Sequence, residues 1–435
     1  MRIPRRSFFG LAPTIVAGCA APGAAVPTAV SMAPAAGKWA ALRSDFILSK
    51  DKVQLGNLLI ASNPKPVRDA VERHRKSLDE NPVEVLEHEL SKGELLGATL
   101  DSAARYMGVQ KTDIALTDST TSGIAVVYGG LALERGDEIV TTKHDHFVTH
   151  ESLRLTAERT GATVKAVALY EDGRDAKAET MARAIENGIS AATRVVAITW
   201  VHSSTGVKTP VRAIAEVVAK ANASRGAKEK ILLCVDGVHG FGVENAAIPE
   251  LGCDVFIAGC HKWIFGPRGT GLVWAKSDVW EKIRPQACPF DWQYIVAREH
   301  GKGPVPKPSG ANRSPGGFRA YEHRWALKEA FDYHLSIGKP DIESRIHALA
   351  AQCKAGLSAM KHVKMHTPVD QKISSSIVTC EIAGLSVDDA AKKLLGMGIV
   401  ATTTPYDPSY LRFTPGITNT PEEIDRALDA VRKLA

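Results

Sequence analysis

The chain has 435 residues, 44% of them hydrophobic, and its formal net charge at pH 7 is +6. This length and apolar content suffice for a large buried core and predict a globular subunit with two lobes. Arg2, Arg5 and Arg6 supply three of the positive charges, so the rest of the chain carries only about +3. A balance this close to neutral argues against nucleic acid as a partner.

The N-terminal sequence reads PRRSFFGLAPTIVAGCAAPGAA at residues 4–25. Its paired arginines precede an apolar stretch too short to span a bilayer, a pattern that resembles a twin-arginine export signal. Cys19 ends a segment that resembles a lipobox, which implies lipid attachment; a plain cleaved signal is the alternative. We predict a leader and flexible tether over 1–37, the twin-arginine translocon as an export partner, and a periplasmic protein, lipid-anchored if Cys19 is acylated.

The segment 38–315 alternates apolar runs of strand length with segments of helical periodicity, a pattern typical of an α/β domain with a mainly parallel sheet. The predicted strands are 138–142, 162–169, 194–200, 231–236, 254–259 and 271–275, and a helix is predicted over 211–224. A Gly/Pro-rich crossing at 301–317 follows. Beyond it, helices over 321–335, 341–360 and 421–434 and strands within 375–384 and 399–404 predict a smaller α+β domain over 316–435.

Chemistry-bearing residues follow two of the predicted strands, at the edge where parallel sheets bind ligands. Asp236 ends the strand 231–236, and Lys262 comes just after the strand 254–259. Each residue alone is typical of a solvated or capping position. Together they suit pyridoxal phosphate, which needs a lysine for its Schiff base and a carboxylate that keeps its pyridine nitrogen protonated.

Two motifs around these residues resemble the fold-type I pyridoxal-phosphate enzymes of the class V aminotransferase group. Residues 236–239 (DGVH) resemble its D-x-x-H/Q element and residues 259–262 (GCHK) its G-x-H-K element. The resemblance covers nearly all of the chain after the leader and implies a large domain with a mainly parallel, seven-stranded sheet. It implies Lys262 as the Schiff-base lysine, Asp236 against the pyridine nitrogen and His239 against the ring hydroxyl. His261 is the lysine's usual neighbour, or alternatively a packed histidine.

The stretch LTDSTTSGIAVVYGGLAL (116–133) places hydroxyls at a predicted helix start. Hydroxyls and free backbone amides at such a start form an anion site, although a string of this kind is also an ordinary N-cap cluster. The resemblance favours the cofactor phosphate, bound within the group Ser119, Thr120, Thr121 and Ser122, with Thr120 and Thr121 preferred.

Histidines cluster in HDHFVTHESL (144–153) after the strand 138–142. The resemblance implies an aromatic residue here that stacks on the cofactor ring and takes part in catalysis. We assign this role to His146, with His144 and His150 as competitors. Three neighbouring histidines also match a metal site, but no cysteine partner lies near them, so we predict no metal.

The resemblance adds three further positions. Ser203 stands where relatives often place Asn or Ser near the ring. Thr270, in the turn PRGTG (267–271), is implied as a donor to the phosphate of a neighbouring subunit's cofactor, which implies a homodimer; a simple glycine turn is the alternative. Arg412 is implied to bind the α-carboxylate of the substrate, since its planar fork suits a carboxylate.

The reaction type is constrained by the cysteines. The residues 387–410 contain no cysteine, and the strand residue Cys380 lies too early to act as a nucleophile, which argues against sulfur mobilisation. The six cysteines after the leader show no metal or disulfide spacing. Transamination, epimerisation, elimination and decarboxylation stay open, because the bond that breaks depends on geometry.

The block SPGGFRAYEHRWALKEAFDYHLSIGK (314–339), together with the leader, resembles the exported isopenicillin-N-epimerase-like branch, which includes the periplasmic enzyme of pyoverdine maturation. We therefore expect an exported enzyme that acts on an amino acid or another small molecule with an amino group, peptidic siderophores included, through an external aldimine, as an aminotransferase or epimerase. Two alternatives remain. One is a lyase or cysteine-desulfurase-like enzyme; the other is a non-catalytic periplasmic binding protein, which would lose Lys262 or Asp236.

Overall fold

The computed structural model describes residues 35–435. The predicted export signal and the proposed lipid site at Cys19 lie outside the described residues. Among the helices within this described range, none is long and apolar enough to cross a membrane.

Helices and strands alternate through the first two thirds of the described chain. The helices are α1 (Ala35–Ser44), α2 (Lys65–Glu80), α3 (Pro82–Lys92), α4 (Glu94–Met107), α5 (Thr120–Gly130), α6 (Phe147–Thr160), α7 (Ala178–Gly188), α8 (Val211–Asn222), α9 (Ile248–Leu251), α10 (Trp292–Arg298), α11 (Tyr321–Ile337), α12 (Lys339–Ser358), α13 (Val387–Gly396) and α14 (Pro421–Arg432). The strands are β1 (Val53–Gln54), β2 (Ile114–Thr117), β3 (Glu138–Thr142), β4 (Thr163–Val167), β5 (Thr193–Thr199), β6 (Leu232–Asp236), β7 (Val255–Gly259), β8 (Gly271–Ala275), β9 (Val363–Met365), β10 (Val378–Ile382), β11 (Ile399–Val400), β12 (Thr402–Thr403) and β13 (Leu411–Phe413).

The large sheet has seven strands in the order β2-β8-β7-β6-β5-β3-β4. Strand β8 runs antiparallel to both of its neighbours, and the other pairs are parallel. Every residue of β6, β7 and β8 is buried, as expected for strands covered by helices on both faces. The predicted α/β fold with a mainly parallel seven-stranded sheet is confirmed. Strands β6 and β7 are neighbours, which brings Asp236 and the segment before Lys262 to the same edge.

A second hydrophobic cluster surrounds a four-stranded antiparallel sheet of order β12-β13-β10-β9. It includes the N-terminal residues Val53 and Leu55, because β1 pairs in parallel with β11. Helix α11 packs instead on α2 and α4, and its Trp325 and Phe331 belong to the core of the large sheet. In α12, Ile342 and Ile346 still belong to the core of the large sheet, and the residues from Leu349 onward belong to the second cluster, so the packing changes within this helix.

Candidate active site

A cavity of about 350 Å³ opens at the carboxyl ends of the parallel strands, and residues of β12 and β13 complete its wall. All but one of the predicted site residues line it, namely Ser119, Thr120, Thr121, His146, Ser203, Asp236, His239, His261, Lys262 and Arg412. The exception is Thr270. Its buried hydroxyl donates to the carbonyl of Pro267 at 2.5 Å, so the structure uses this proton inside its own turn.

Lys262 and Asp236 are desolvated charges of opposite sign. Asp236 is 4% exposed, and its Oδ1 accepts a hydrogen bond from the backbone N–H of Val238 at 3.1 Å. Burial raises the pKa of Asp236 to about 6, against the lowering effect of that hydrogen bond and of Lys262. Burial lowers the pKa of Lys262 to about 8, although the Asp236 carboxylate opposes this shift. About a tenth of this amine is therefore unprotonated at pH 7, far more than for an ordinary lysine, and the unprotonated form is the one that acts as a nucleophile.

The hydroxyl residues at the start of helix α5 have two different roles: two serines cap the helix, and Thr120 does not. Ser119 and Ser122 form a reciprocal capping box: the Ser119 Oγ accepts from the Ser122 N–H at 3.1 Å, and the Ser122 Oγ accepts from the Ser119 N–H at 3.0 Å. The N-cap alternative thus describes these two serines. Thr120 differs, since its Oγ1 is buried without a hydrogen-bond partner among the described residues. A Cβ at Gly259 would approach this Oγ1 to 2.9 Å, so the glycine leaves room around it.

Three buried polar atoms of the cavity wall lack partners within the described part of the chain: Thr120 Oγ1, Thr199 Oγ1 and His261 Nδ1. Folded proteins seldom leave such atoms unsatisfied. All three residues line the cavity together with Lys262, and Thr120 is the first residue of helix α5, where backbone N–H groups favour an anion. An amine, a buried carboxylate, a helix start and unpaired hydroxyls are the set that an aldehyde-bearing pyridine phosphate needs, so the residues fit pyridoxal phosphate.

The three histidines after β3 do not converge on one point. His146 is the N-cap of α6 and lines the cavity; its Nδ1 accepts from the Val148 N–H at 3.3 Å, and burial, with Lys262 and Arg412, lowers its pKa to about 4. His144 also lines the cavity and stacks on Tyr170 with ring centroids 3.8 Å apart. His150 bonds to the carbonyl oxygen of Thr142 at 2.8 Å instead. His146 and His144 thus both remain candidates to contact a cofactor ring.

Arg412 reaches the cavity from the middle of β13 and is 2% exposed. Its Nε donates to Thr402 Oγ1 at 3.0 Å, one Nη to the carbonyl of Ser203 at 2.8 Å and the other Nη to the carbonyl of Thr403 at 3.2 Å. Burial lowers the pKa of Arg412 to about 10, so the group remains cationic at neutral pH. All three of these acceptors are neutral oxygens, which leaves the charge available to an anionic ligand.

His239 is held neutral in the floor of the site. It is 5% exposed, and its Nδ1 accepts a hydrogen bond from the indole N–H of Trp263 at 3.3 Å. Burial lowers its pKa, and the nearby cations Lys262 and Arg412 act in the same direction. A neutral imidazole whose Nδ1 is an acceptor carries its proton on Nε2, which leaves one donor for a ligand.

Sequence reasoning missed three polar residues of the cavity wall, Thr199, Thr403 and Tyr406. Thr199 is the last residue of β5, and parallel sheets bind ligands at the carboxyl ends of their strands, so the sequence could have indicated it. Tyr406 lies in the loop between β12 and β13, and its hydroxyl is 2.6 Å from the Ser203 Oγ. No local pattern marks it, because its position depends on how the small sheet docks.

The model of the aminotransferase class-V family matches residues 61–426. Isopenicillin N epimerase of Streptomyces clavuligerus is 26% identical over 408 residues, 91% of this chain and 98% of the epimerase. A probable cysteine desulfurase of Halalkalibacterium halodurans is 29% identical over 300 residues, 68% of each chain. A solved mutant of the C–S lyase C-DES, with glycine covalently linked to its pyridoxal-phosphate cofactor, superposes with a TM-score of 0.80 at 22% identity, over 90% of this chain and 98% of the other. That likeness shows a shared fold.

Proposed function

The chain belongs to the class V aminotransferase family of pyridoxal-phosphate-dependent enzymes, and from this premise we propose that it transforms the α-carbon of a small molecule with an amino group, as an aminotransferase or an epimerase. The observation that carries the proposal is the single cavity that holds Lys262, Asp236 and Arg412. Lys262 supplies a nucleophilic amine, Asp236 a buried carboxylate, and Arg412 a cation that can bind the carboxylate of a substrate. The cofactor, when bound, supplies an electron sink for the pair left when a bond to the α-carbon breaks.

Lys262 would hold the cofactor and later carry a proton. Its pKa of about 8 places the amine near the pH at which a group both accepts and returns protons efficiently. Asp236 would hold the pyridine nitrogen in its protonated form, since a buried carboxylate is stabilised by an adjacent cation. Thr120 Oγ1 and the N-terminal amides of α5 would bind the phosphate. His239 would offer its remaining ring N–H to the ring hydroxyl.

Arg412 would bind the carboxylate of the substrate. Three of its five N–H groups are used by Thr402, Ser203 and Thr403, which fixes the guanidinium plane. One N–H remains on each Nη nitrogen, and this pair matches the two oxygens of a carboxylate. Fixing both ends of the amino acid orients the bond that breaks.

The cysteines favour aminotransferase or epimerase chemistry over desulfurase chemistry. Within residues 35–435, no cysteine lines the cavity, and Cys380 is buried in β10. A desulfurase needs a thiol that reaches the substrate sulfur. The relationship to isopenicillin N epimerase over nearly the full length of both chains supports epimerisation. The similar probable cysteine desulfurases keep a thiol-independent lyase as the second candidate.

The test is to incubate the purified holoenzyme with a panel of free amino acids and amino-bearing peptides in deuterium oxide. Conversion of the cofactor to pyridoxamine phosphate with a keto acid product identifies an aminotransferase. Solvent deuterium at an inverted α-carbon, with the cofactor unchanged, identifies an epimerase. Release of sulfide or pyruvate from cysteine or cystine would instead identify a lyase. Lys262→Ala is the control, and activity that survives in it would refute the assignment.

We also propose that the protein is exported to the periplasm by the twin-arginine route, on the strength of the leader alone. Changing Arg5 and Arg6 to Lys should leave the protein in the cytoplasm, and normal export of this double variant would contradict the proposal. Lipid attachment has a separate test, because Cys19→Ser should release a membrane-bound protein to the soluble periplasm only if Cys19 is acylated.

A homodimer is the third proposal. Three aromatic residues are strongly exposed in one region, Phe290 (48%), Trp292 (63%) and Phe318 (71%), and the rings of Phe290 and Phe318 lie 5.6 Å apart. Exposed apolar patches of this kind mark association surfaces. Light scattering coupled to size exclusion should give twice the subunit mass, and Phe318→Glu should lower it; a monomeric wild type would contradict the proposal.

A further inference from the structure

Tyr406 and Ser203 form a hydroxyl pair across the two parts of the fold. Tyr406 lies on the loop between β12 and β13, whereas Ser203 follows β5 of the large sheet. Their oxygens are 2.6 Å apart, and both residues line the active-site cavity. Ser203 is 8% exposed, so the pair lies in the wall of the site and not at the protein surface.

The pair holds one more proton than it uses. Each hydroxyl has one proton, and the contact between the two oxygens uses one of them. Neither oxygen has another hydrogen-bond partner among residues 35–435. Burial raises the pKa of Tyr406, so the phenol stays protonated at neutral pH. One hydroxyl proton is therefore left without an acceptor at the edge of the cavity.

Ser203 also holds Arg412. Its carbonyl accepts from one Nη of Arg412 at 2.8 Å, while its hydroxyl contacts Tyr406. Ser203 thus contacts both the hydroxyl of Tyr406 and one Nη of Arg412, while Thr402 and Thr403 hold the rest of the guanidinium. A carboxylate offers about four lone-pair sites on two oxygens, so it accepts all three donors.

We propose that Tyr406 is a substrate-binding residue: its pair with Ser203 donates a third hydrogen bond to the carboxylate that Arg412 binds. This rests on the proposed function, in which Arg412 receives that carboxylate. It narrows the substrate to amines that carry a free carboxylate beside the reacting amino group. An amine without this carboxylate forms none of the three bonds and gains nothing from Tyr406.

Equilibrium titration of the holoenzyme with a matched pair of amines tests the proposal. The probes are 2-methylalanine, which has a carboxylate but no α-proton to lose, and isopropylamine, which lacks the carboxylate. Binding is followed by the shift in the visible absorption of the cofactor. With the phenol as the donor to the carboxylate, Tyr406→Phe should weaken 2-methylalanine binding about tenfold, the effect of losing one hydrogen bond to a charged group. Ser203→Ala leaves the phenol its proton and removes only the contact that positions it, so it should weaken binding less. Isopropylamine binding should be unchanged.

The double variant should lose little more than Tyr406→Phe alone, because Ser203 acts through Tyr406 and the two changes are not additive in a double-mutant cycle. Tyr410→Phe is the matched control on the same loop. Tyr410 stacks on His366 with centroids 3.9 Å apart and does not line the cavity, so this variant should bind both amines like the wild type. Thermal midpoints close to that of the wild type establish that each variant is folded.

Two outcomes would overturn the assignment of Tyr406. One is 2-methylalanine binding by Tyr406→Phe within about twofold of the wild type, and the other is equal weakening of both amines. Failure of the underlying function looks different. In that case the wild type shows no visible cofactor absorption, or Arg412→Ala binds 2-methylalanine as well as the wild type does.

Discussion

Replacing Asp236 with Asn should stabilise the cofactor-free protein while it disables the enzyme. Burial raises the pKa of Asp236 from its ordinary value of 3.8 to about 6. Because the folded state holds this proton more tightly than the unfolded state, ionisation of the carboxylate costs the folded protein about 3 kcal/mol at pH 7.5. Asn has the same shape and no charge, and its side-chain oxygen can keep the hydrogen bond from the Val238 N–H.

The expected gain depends on pH in a defined direction. Well below pH 3.8 the carboxyl is protonated in both the folded and the unfolded state, and it then costs nothing. The cost appears as the pH rises from about 4 to 6 and is complete above that range, so the gain should shrink from at most about 3 kcal/mol at pH 7.5 to about 0.6 kcal/mol at pH 4. The new amide N–H₂ group needs an acceptor in the same site, which reduces the gain.

The assay compares urea midpoints of cofactor-free wild type and variant at pH 5 and 7.5, because a protein with two hydrophobic cores need not unfold in one step. Asp278→Asn, at an exposed turn, is the control and should show no such gain. The reasoning is refuted if Asp236→Asn lowers the midpoint at pH 7.5, or if the gain is the same at both pH values. Activity of the loaded variant should fall by several orders of magnitude, since an unprotonated pyridine nitrogen is a poor electron sink.

Three further changes have defined outcomes. Lys262→Ala should abolish the visible cofactor absorption and the borohydride-reducible link while phosphate contacts at Thr120 retain some cofactor, and labelling of another lysine would contradict this. Glu244→Ala removes a buried carboxylate and leaves its half-buried partner Lys208, 2.7 Å away, unpaired, so it should lower the urea midpoint by the equivalent of about 3 kcal/mol. Glu216→Ala, in an exposed pair, should change it by at most about 1 kcal/mol. Sulfide release from cysteine should not depend on any cysteine within residues 35–435, as serine variants will show.

The sequence predicted six of the seven strands of the large sheet, because each of the six lies in a short apolar run that is visible in the local sequence. The exception is β2 (Ile114–Thr117), a four-residue strand that directly precedes the hydroxyl cluster. The pairing of β1 with β11 joins two-residue strands from distant parts of the chain, and no periodicity can reveal that. The packing of α11 on α2 and α4 could not be predicted for the same reason, because a local sequence does not show which partner covers an apolar helix face.

The site shows the same division. Asp236 and Lys262 are tied to strand ends, so chain order and the strand-end rule sufficed to place them on one edge. His144 and His146 follow one strand two residues apart, and only their tertiary contacts distinguish them: His144 stacks on Tyr170, whereas His146 caps α6. The position of Tyr406 in the site depends on how the loop between β12 and β13 reaches Ser203, which the local sequence does not show.

The buried charged groups of the site favour ligand groups of opposite charge. Burial disfavours the ionised forms of Asp236, Lys262 and Arg412, and each shift in pKa measures a desolvation cost that the empty fold bears. A pyridine nitrogen offers Asp236 a cation, and a carboxylate offers Arg412 an anion, so each ligand charge offsets one of these costs. A neutral ligand of the same shape offsets none of them. The groups whose burial weakens the cofactor-free protein are therefore the same groups that, under the proposed function, would select a substrate carboxylate and a protonated pyridine ring.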